Sequence, residues 1–70
     1  MQYYMTTQFI PAKGQAYMYI EAEGTVVQRT LTHIPSTEEI ERIPDPVVKM
    51  LFMPERLQPS DEATFLRLWG

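Results

Sequence analysis

A single histidine is the residue of this chain best suited to acid–base chemistry, and it has few partners. His33 is followed closely by three acids, Glu38, Glu39 and Glu41. The chain has no cysteine and only two serines, whereas covalent catalysis needs a nucleophile held within hydrogen-bond reach of a base. No pattern in the sequence indicates that a nucleophile and His33 are held together, so we expect His33 on the surface or at a strand end. We predict no catalytic residue and no enzyme activity, unless the chain completes another chain's site.

Cofactor and metal sites have no support in the sequence either. The glycines Gly14, Gly24 and Gly70 stand alone and do not form a glycine-rich loop that cradles phosphates. A structural zinc site uses several Cys or His ligands, and His33 is the only residue of these types. The sequence therefore predicts no cofactor, no metal and no small-molecule substrate.

The charges are unevenly placed along the chain. Before Ser36, Lys13 and Arg29 balance Glu21 and Glu23, whereas seven acids face four bases from Ser36 onward. An acidic chain without a cluster of Lys and Arg is a poor ligand for phosphate backbones. We therefore expect no nucleic-acid partner. The net charge of −3 serves solubility, or attracts a basic partner.

Length and composition are typical of a small globular domain. The 70 residues are 44% hydrophobic, which predicts one ordered domain over residues 1–70. The start of the chain has no basic region followed by an apolar run, so we expect no signal peptide. No stretch approaches the ~20 apolar residues of a membrane helix. The lack of cysteine suits a reducing compartment, and we expect a cytoplasmic protein that does not contact membranes.

The first half of the sequence predicts three β-strands. Residues 2–10, 16–22 and 25–33 are rich in Tyr, Thr, Val and Ile, which favour strands. Residues 11–15 contain Pro and Gly and predict the first turn. Glu23 and Gly24 predict a two-residue hairpin loop between the second and third strands.

The hairpin loop sets a register that can be tested against hydrophobicity. It pairs Ala22 with Thr25 and Ile20 with Val27, and it gives one largely apolar face. A shift by one residue would mix apolar and polar partners on both faces. Arg29 then falls on the apolar face opposite Met18, where its stem can cover apolar surface at the rim. The other face carries three residues of the second strand, Tyr17, Tyr19 and Glu21.

The second half predicts short helices. Ser36 and Glu39 form a capping box for a helix that must end near Ile43, because Pro44 follows. Residues 47–53 are ambiguous between helix and buried strand, and the Asp-Pro pair before them favours helix. A last helix begins with Ser60 as its N-cap and places apolar residues on one face, namely Phe65, Leu68 and Trp69.

These elements predict an α+β fold. A three-stranded antiparallel β-meander over about residues 2–33 is followed by two or three short helices that pack on its apolar face. The predicted core contains Met5, Phe9, Met18, Ile20, Val27, Leu31, Ile40, Leu51, Phe65, Leu68 and Trp69.

A tyrosine-bearing sheet face is the predicted partner-binding site. Tyrosine offers a large contact area at low entropic cost, and the four predicted partner-binding residues are Tyr4, Tyr17, Tyr19 and Thr30. The alternative is that a helix or a second subunit covers this face. RNA stacking also uses sheet aromatics but needs basic neighbours, which this face lacks.

Two further features have a binding interpretation and a structural one. Met50 and Met53 flank Phe52, and flexible methionines line adaptable grooves, although they more often fill core gaps. Trp69 could anchor the chain in a partner's groove or could close the core over the sheet. For both features we expect the core role.

The sequence as a whole favours a small non-enzymatic protein-interaction module. It would bind another protein through the tyrosine-bearing face or through an exposed strand edge. One alternative is an acidic inhibitor of the antitoxin or immunity type that binds a basic enzyme. Another is a homodimeric structural protein whose only partner is itself.

Overall fold

The computed structural model describes residues 1–70. Along the chain it contains β1 (Gln2–Ile10), β2 (Gly14–Glu23), β3 (Val26–Ile34), β4 (Glu39–Ile43), a single 3-10 turn (Pro54–Arg56), β5 (Gln58–Pro59) and α1 (Glu62–Trp69). The strands form one five-stranded sheet in the order β4-β3-β2-β1-β5, and every pairing is antiparallel. No helix has the length and apolar character needed to cross a membrane.

The predicted three-stranded meander with two or three helices is wrong. The sheet has two more strands than predicted, and the only α-helix is the last element. The first strand has the predicted bounds, and the second and third strands begin or end within two residues of theirs. The unpredicted strands and the helices that do not form therefore lie in the second half of the chain.

Residues 36–43 form a hairpin with β3 instead of a helix. Ile34 pairs with Glu39 across a four-residue loop, in which Glu38 adopts a left-handed conformation with φ of 59°. The Ser36 hydroxyl donates to the carbonyl of Lys13 rather than capping a helix. A helix of two turns is only marginally stable by itself, whereas β4 satisfies its backbone along the edge of β3.

Residues 47–53 are neither a helix nor a regular strand. They lie in an irregular segment, residues 44–57, which we name the cover segment because it lies over one face of the sheet. A single bridge joins Met50 to Val26 at the start of β3. Prolines at 44, 46 and 54 interrupt the backbone hydrogen bonding that either regular element would need.

The β2–β3 hairpin has a different register from the predicted one. Glu23 pairs with Val26, so Gly24 and Thr25 form the loop, and a β-bulge follows between Glu21 and Ala22. The bulge adds a residue to β3 and thereby reverses the side that each later side chain faces. As a result Arg29 lies opposite Glu21 and not opposite Met18.

The helix covers one face of the sheet and forms a core there. The buried residues of this core are Tyr3, Leu31 and Phe65. The Phe65 and Tyr3 rings have their centroids 5.5 Å apart, and Trp69 stacks on Phe65 at 5.7 Å. Trp69 therefore contributes to the core, as the sequence predicted, although it remains partly exposed.

A second core lies on the opposite face, beneath the cover segment. Its buried residues are Ile20, Ala22, Val27 and Leu51. The predicted core assumed a single apolar face, and it is wrong at Phe9, which is 76% exposed. It also omitted four buried apolar residues, Tyr3, Ala16, Ala22 and Ile34.

The terminal helix forms as predicted, with its N-cap one residue later. The Asp61 carboxylate accepts a hydrogen bond from the Thr64 amide at 2.7 Å, which makes Asp61 the N-cap instead of Ser60. Ser60 extends the β-ladder by donating its amide to the Tyr3 carbonyl at 2.9 Å. The helix therefore starts where the pairing of β5 with β1 ends.

Candidate partner-binding site

An open groove lies on the face of the sheet opposite the helix. It has a volume of about 270 Å³, and eight of its nine lining residues are hydrophobic. The sheet forms its floor and the cover segment forms its wall, with the lining residues Met18, Ile20, Val27, Thr30, Val48, Met50, Leu51, Phe52 and Leu57. We name it the apolar groove.

The wall of the apolar groove is largely exposed to solvent. Val48 is 74% exposed, and Met50 and Phe52 are each 72% exposed. Only Leu51 in this part of the wall is buried, where it packs into the core on this face. The predicted core role of the methionine-bearing run therefore applies to one of its residues and not to its Met and Phe side chains.

Backbone hydrogen bonds to β3 fix the wall in place. The Val27 amide donates to the Lys49 carbonyl at 2.6 Å, and the Leu51 amide donates to the Thr25 carbonyl at 2.8 Å. In such an extended stretch successive side chains point to opposite sides, so Leu51 turns inward while Met50 and Phe52 stay in solvent. The groove is thus held open by the backbone without the burial of its wall side chains.

The local sequence explains why this segment stays extended. Pro46 is buried. The Lys49 ammonium group contacts the Asp45 carboxylate and donates a hydrogen bond to the Pro46 carbonyl at 2.8 Å, so these contacts join residues 45 and 46 to residue 49. Proline has no amide hydrogen and a fixed φ. The segment therefore enters and leaves the sheet surface without forming a helix.

An unpaired acid lies beside the apolar groove. Glu41 is exposed on the same sheet face as Ile43, which pairs with the lining residue Thr30. Glu41 forms no ion pair. A ligand of this groove would meet apolar walls with negative charge beside them.

The helix-side face contains a buried ionic cluster. Arg29 binds Glu21 through two hydrogen bonds, Nε–Oε1 at 2.7 Å and Nη2–Oε2 at 2.9 Å. The Tyr3 hydroxyl donates to Glu21 Oε2 at 2.9 Å. The Arg29 guanidinium lies 5.1 Å from the Phe65 ring centroid and 4.6 Å from that of Trp69. These contacts satisfy the only buried charged residue of the chain, Glu21.

The titration of this cluster points to a structural role. Hydrogen bonds from Arg29 hold the pKa of Glu21 below its usual range, and the same bonds raise the pKa of Arg29. Burial, followed by the hydrogen bond to Glu21, raises the pKa of Tyr3 to about 12. None of the three groups is set to exchange a proton near neutral pH. The cluster therefore orients and stabilises the sheet beneath the helix.

The predicted partner-binding residues lie on two faces. Tyr17 and Tyr19 share the helix-side face, where Tyr19 packs against the core of Tyr3, Leu31 and Phe65. Tyr4 and Thr30 both align with Ile20 on the opposite face, where Thr30 lines the apolar groove and Tyr4 packs against the core. Their joint role in binding stays a prediction.

The sheet separates His33 from two of the acids near it in sequence, Glu39 and Glu41. His33 pairs with Tyr17 and Ile40 and shares their face. Glu39 and Glu41 alternate with Ile40 along β4 and point to the other side. Glu39 also binds Lys13 at 3.1 Å, and its pKa is lowered by hydrogen bonds from Thr37 and Lys13. No group of three or more potential metal-ligating side chains occurs.

Sequence reasoning missed Val48 as a site residue and interpreted Phe52 and the methionines as core. The signal that could have identified them was proline spacing. Three prolines within the segment that holds these apolar residues oppose regular structure, and an apolar run outside regular structure is difficult to bury completely.

No protein-family model, curated protein or solved structure matches this chain.

Proposed function

We propose that this protein is a small non-enzymatic interaction module that takes an apolar side chain of another protein into the apolar groove. The class of function is the one that the composition favours, but the site differs from the predicted tyrosine-bearing face. Tyr17 and Tyr19 lie on the side of the sheet covered by the helix, whereas the apolar groove lies on the other side.

The exposure of the groove wall is the observation that carries this proposal. Val48, Met50 and Phe52 contact water over more than seven-tenths of their surface, although the groove beside them is lined almost entirely by apolar residues. Soluble proteins rarely expose contiguous apolar patches without an interaction role. Methionine adapts its shape to varied ligands, so Met18 and Met50 suit a groove that accepts different side chains.

Charge defines the chemistry of the partner further. The chain has a net charge of −3, and Glu41 lies on the groove face of the sheet without an ion pair. Complementary charge steers association and selects partners. The expected ligand is therefore a segment with an apolar anchor residue and basic neighbours. The proposal includes a cytoplasmic location, because a chain without cysteine suits a reducing compartment.

Peptide selection on the whole protein tests the proposal. Peptides selected from a random displayed library are synthesised, and their affinities are measured for the native protein and for Phe52→Ser and Phe9→Ser. Phe9 provides a matched control, because it is 76% exposed against 72% for Phe52 and lies in β1, away from the groove. Surface changes of this kind alter the free energy of unfolding by only about 0.5 kcal/mol.

The expected result is a loss of affinity with Phe52→Ser alone. Burying a phenylalanine contributes about 1.5–3 kcal/mol, so affinity should fall at least about tenfold, while Phe9→Ser binds as the native protein does. Equal affinities for the two variants would contradict the groove. Binding that ignores Phe52→Ser but weakens steeply with salt would instead favour an acidic inhibitor of a basic enzyme.

A further inference from the structure

The outer edge of β1 is only half covered. β5 pairs with β1 at Tyr4 and Met5 and nowhere beyond. The rest of the strand, residues 6–10, pairs only with β2 on its inner side. We name residues 6–10 the open edge. An uncovered strand edge presents free backbone donors and acceptors for another strand.

The ladder shows which backbone groups the open edge presents. The Tyr3 carbonyl points outward, because it accepts from Ser60 at 2.9 Å on the β5 side. In a regular strand the amide and carbonyl of one residue point to the same side, and the sides alternate along the chain. The pairing of β1 with β2 has no bulge. Thr7 and Phe9 therefore direct their amides and carbonyls outward.

The two edges of the sheet differ in charge. On the opposite edge, β4 carries three charged residues among its five, Glu39, Glu41 and Arg42. Charged side chains are a common protection against edge-to-edge pairing. The open edge has the sequence TTQFI and no charged side chain, and a proline follows only after Ile10. It therefore lacks the protection that β4 has.

We propose that the open edge pairs with the open edge of a second copy of this chain, which gives an antiparallel dimer with a continuous sheet. This inference is independent of the apolar groove, which lies on a sheet face and not on this edge. Two identical strands related by a twofold axis pair antiparallel, and such an interface is self-complementary.

One register uses every free group of the open edge. With Gln8 opposite Gln8 of the second copy, Thr7 faces Phe9, and the two residues exchange both backbone hydrogen bonds. A twofold axis at Thr7 would place Phe9 against Met5, which is already paired with Gln58. An axis at Phe9 would place Thr7 against Pro11, which has no amide hydrogen.

The same register gives the exposed phenylalanine a partner. Phe9 is 76% exposed in the single chain. In the dimer it lies beside Thr7 of the second copy and diagonal to Phe9 of that copy, at a spacing that aromatic side chains bridge. Beyond Ile10 each chain turns away at residues 11–13, so β5 and the second copy lie end to end along β1.

A charge exchange at Gln8 tests both the dimer and its register. Gln8 is exposed, and directly opposed residues of this type have Cα atoms only about 4.5 Å apart. Gln8→Lys and Gln8→Glu are prepared separately, and each is analysed alone and in an equimolar mixture. Sedimentation velocity over a range of concentrations gives the mass, and native mass spectrometry identifies the chains in each species. Gln2→Lys is the control, because it places the same charge in the same strand, away from the axis.

The native protein and Gln2→Lys should sediment at twice the chain mass of 8.2 kDa at high concentration. Each Gln8 variant alone should show a dissociation constant at least about tenfold higher, because like charges directly opposite are destabilising. Their mixture should recover the dimer as a mixed species. Circular dichroism should be unchanged in all variants. A monomer at every concentration, a dimer unaffected by both Gln8 variants, or a mixture that fails to recover would overturn the proposal.

Discussion

Replacing Arg29 by methionine should destabilise this protein much more than replacing Glu21 by glutamine. The two residues form one ion pair, but their surroundings differ. The Glu21 side chain is 8% exposed and the Arg29 side chain is 28% exposed. Arg29→Met leaves a carboxylate stranded in the interior, whereas Glu21→Gln leaves a guanidinium that still reaches water and the aromatic rings of Phe65 and Trp69.

The magnitudes follow from the burial of each group. Stranding a buried charge costs about 3–5 kcal/mol, so we expect about 4 kcal/mol for Arg29→Met. Weakening hydrogen bonds to a charged group costs about 1.5–3 kcal/mol, and we expect about 1.5 kcal/mol for Glu21→Gln. The double variant has no stranded charge and should lose about 2 kcal/mol, well below the sum of the single losses.

Urea unfolding provides the assay, followed by the fluorescence of Trp69 and by far-ultraviolet circular dichroism. A domain of this size has only about 3–5 kcal/mol of stability, so the series is measured in a stabilising osmolyte. Arg29→Lys keeps the charge without the paired hydrogen bonds and should fall between the native protein and Arg29→Met. Additive losses, or a loss for Glu21→Gln as large as that for Arg29→Met, would show that removing Arg29 does not strand the Glu21 carboxylate.

Three further predictions concern pH and packing. Because folding lowers the pKa of Glu21, ionised Glu21 stabilises the fold above its unfolded pKa of about 4.3, and this stabilisation is lost as the pH falls through the folded pKa. Acid titrations of the unfolding free energy should therefore show a shallower loss for Glu21→Gln than for the native protein. Folding raises the pKa of Tyr3 to about 12, so the neutral phenol stabilises the fold below its unfolded pKa of about 10, and this stabilisation falls as the pH rises towards 12. Absorbance titration should show one phenol that ionises later than the others, and Tyr3→Phe should lack it. Leu31→Ala should lower the unfolding free energy, measured in urea, by about 2–5 kcal/mol, because Leu31 is fully buried. Phe9→Ala, measured at concentrations where the chain is monomeric, should lower it by about 0.5 kcal/mol or less. A Phe9→Ala loss equal to that of Leu31→Ala would restore Phe9 to the core.

The positions of the first three strands could be predicted because their signals are local. Residues 2–10 contain strand-forming side chains up to a proline at 11, and β1 has these bounds. The last helix was also predictable, because Phe65, Leu68 and Trp69 repeat at helical spacing, and these residues contact the helix-side core.

The other elements depend on contacts between distant parts of the chain. The bulge opposite Glu21 has no local marker, yet it brings Arg29 to its partner and moves Thr30 to the groove face. Likewise, the capping-box pattern at Ser36 and Glu39 is a valid helix signal. Residues 39–43 nevertheless gain more stability by pairing with β3 than they would gain in a two-turn helix. A prediction from local pattern cannot weigh such long-range pairing.

The candidate site was the least predictable part. The sequence identified the methionine-bearing run, but its role depends on whether its side chains are covered. The helix covers one face of the sheet and the cover segment covers the other. The cover segment packs against its face incompletely. The apolar groove exists because Met50 and Phe52 border that incomplete cover.

Chemical-shift mapping of a selected peptide on the isotope-labelled native protein would locate the binding site without any substitution. We expect the largest amide shifts along residues 48–52 and at the groove-floor residues Met18, Ile20 and Thr30, with little change at Tyr17 and Tyr19. Shifts centred on Tyr17, Tyr19 and the exposed side of the helix would rule out the apolar groove and would place binding on the opposite face of the sheet.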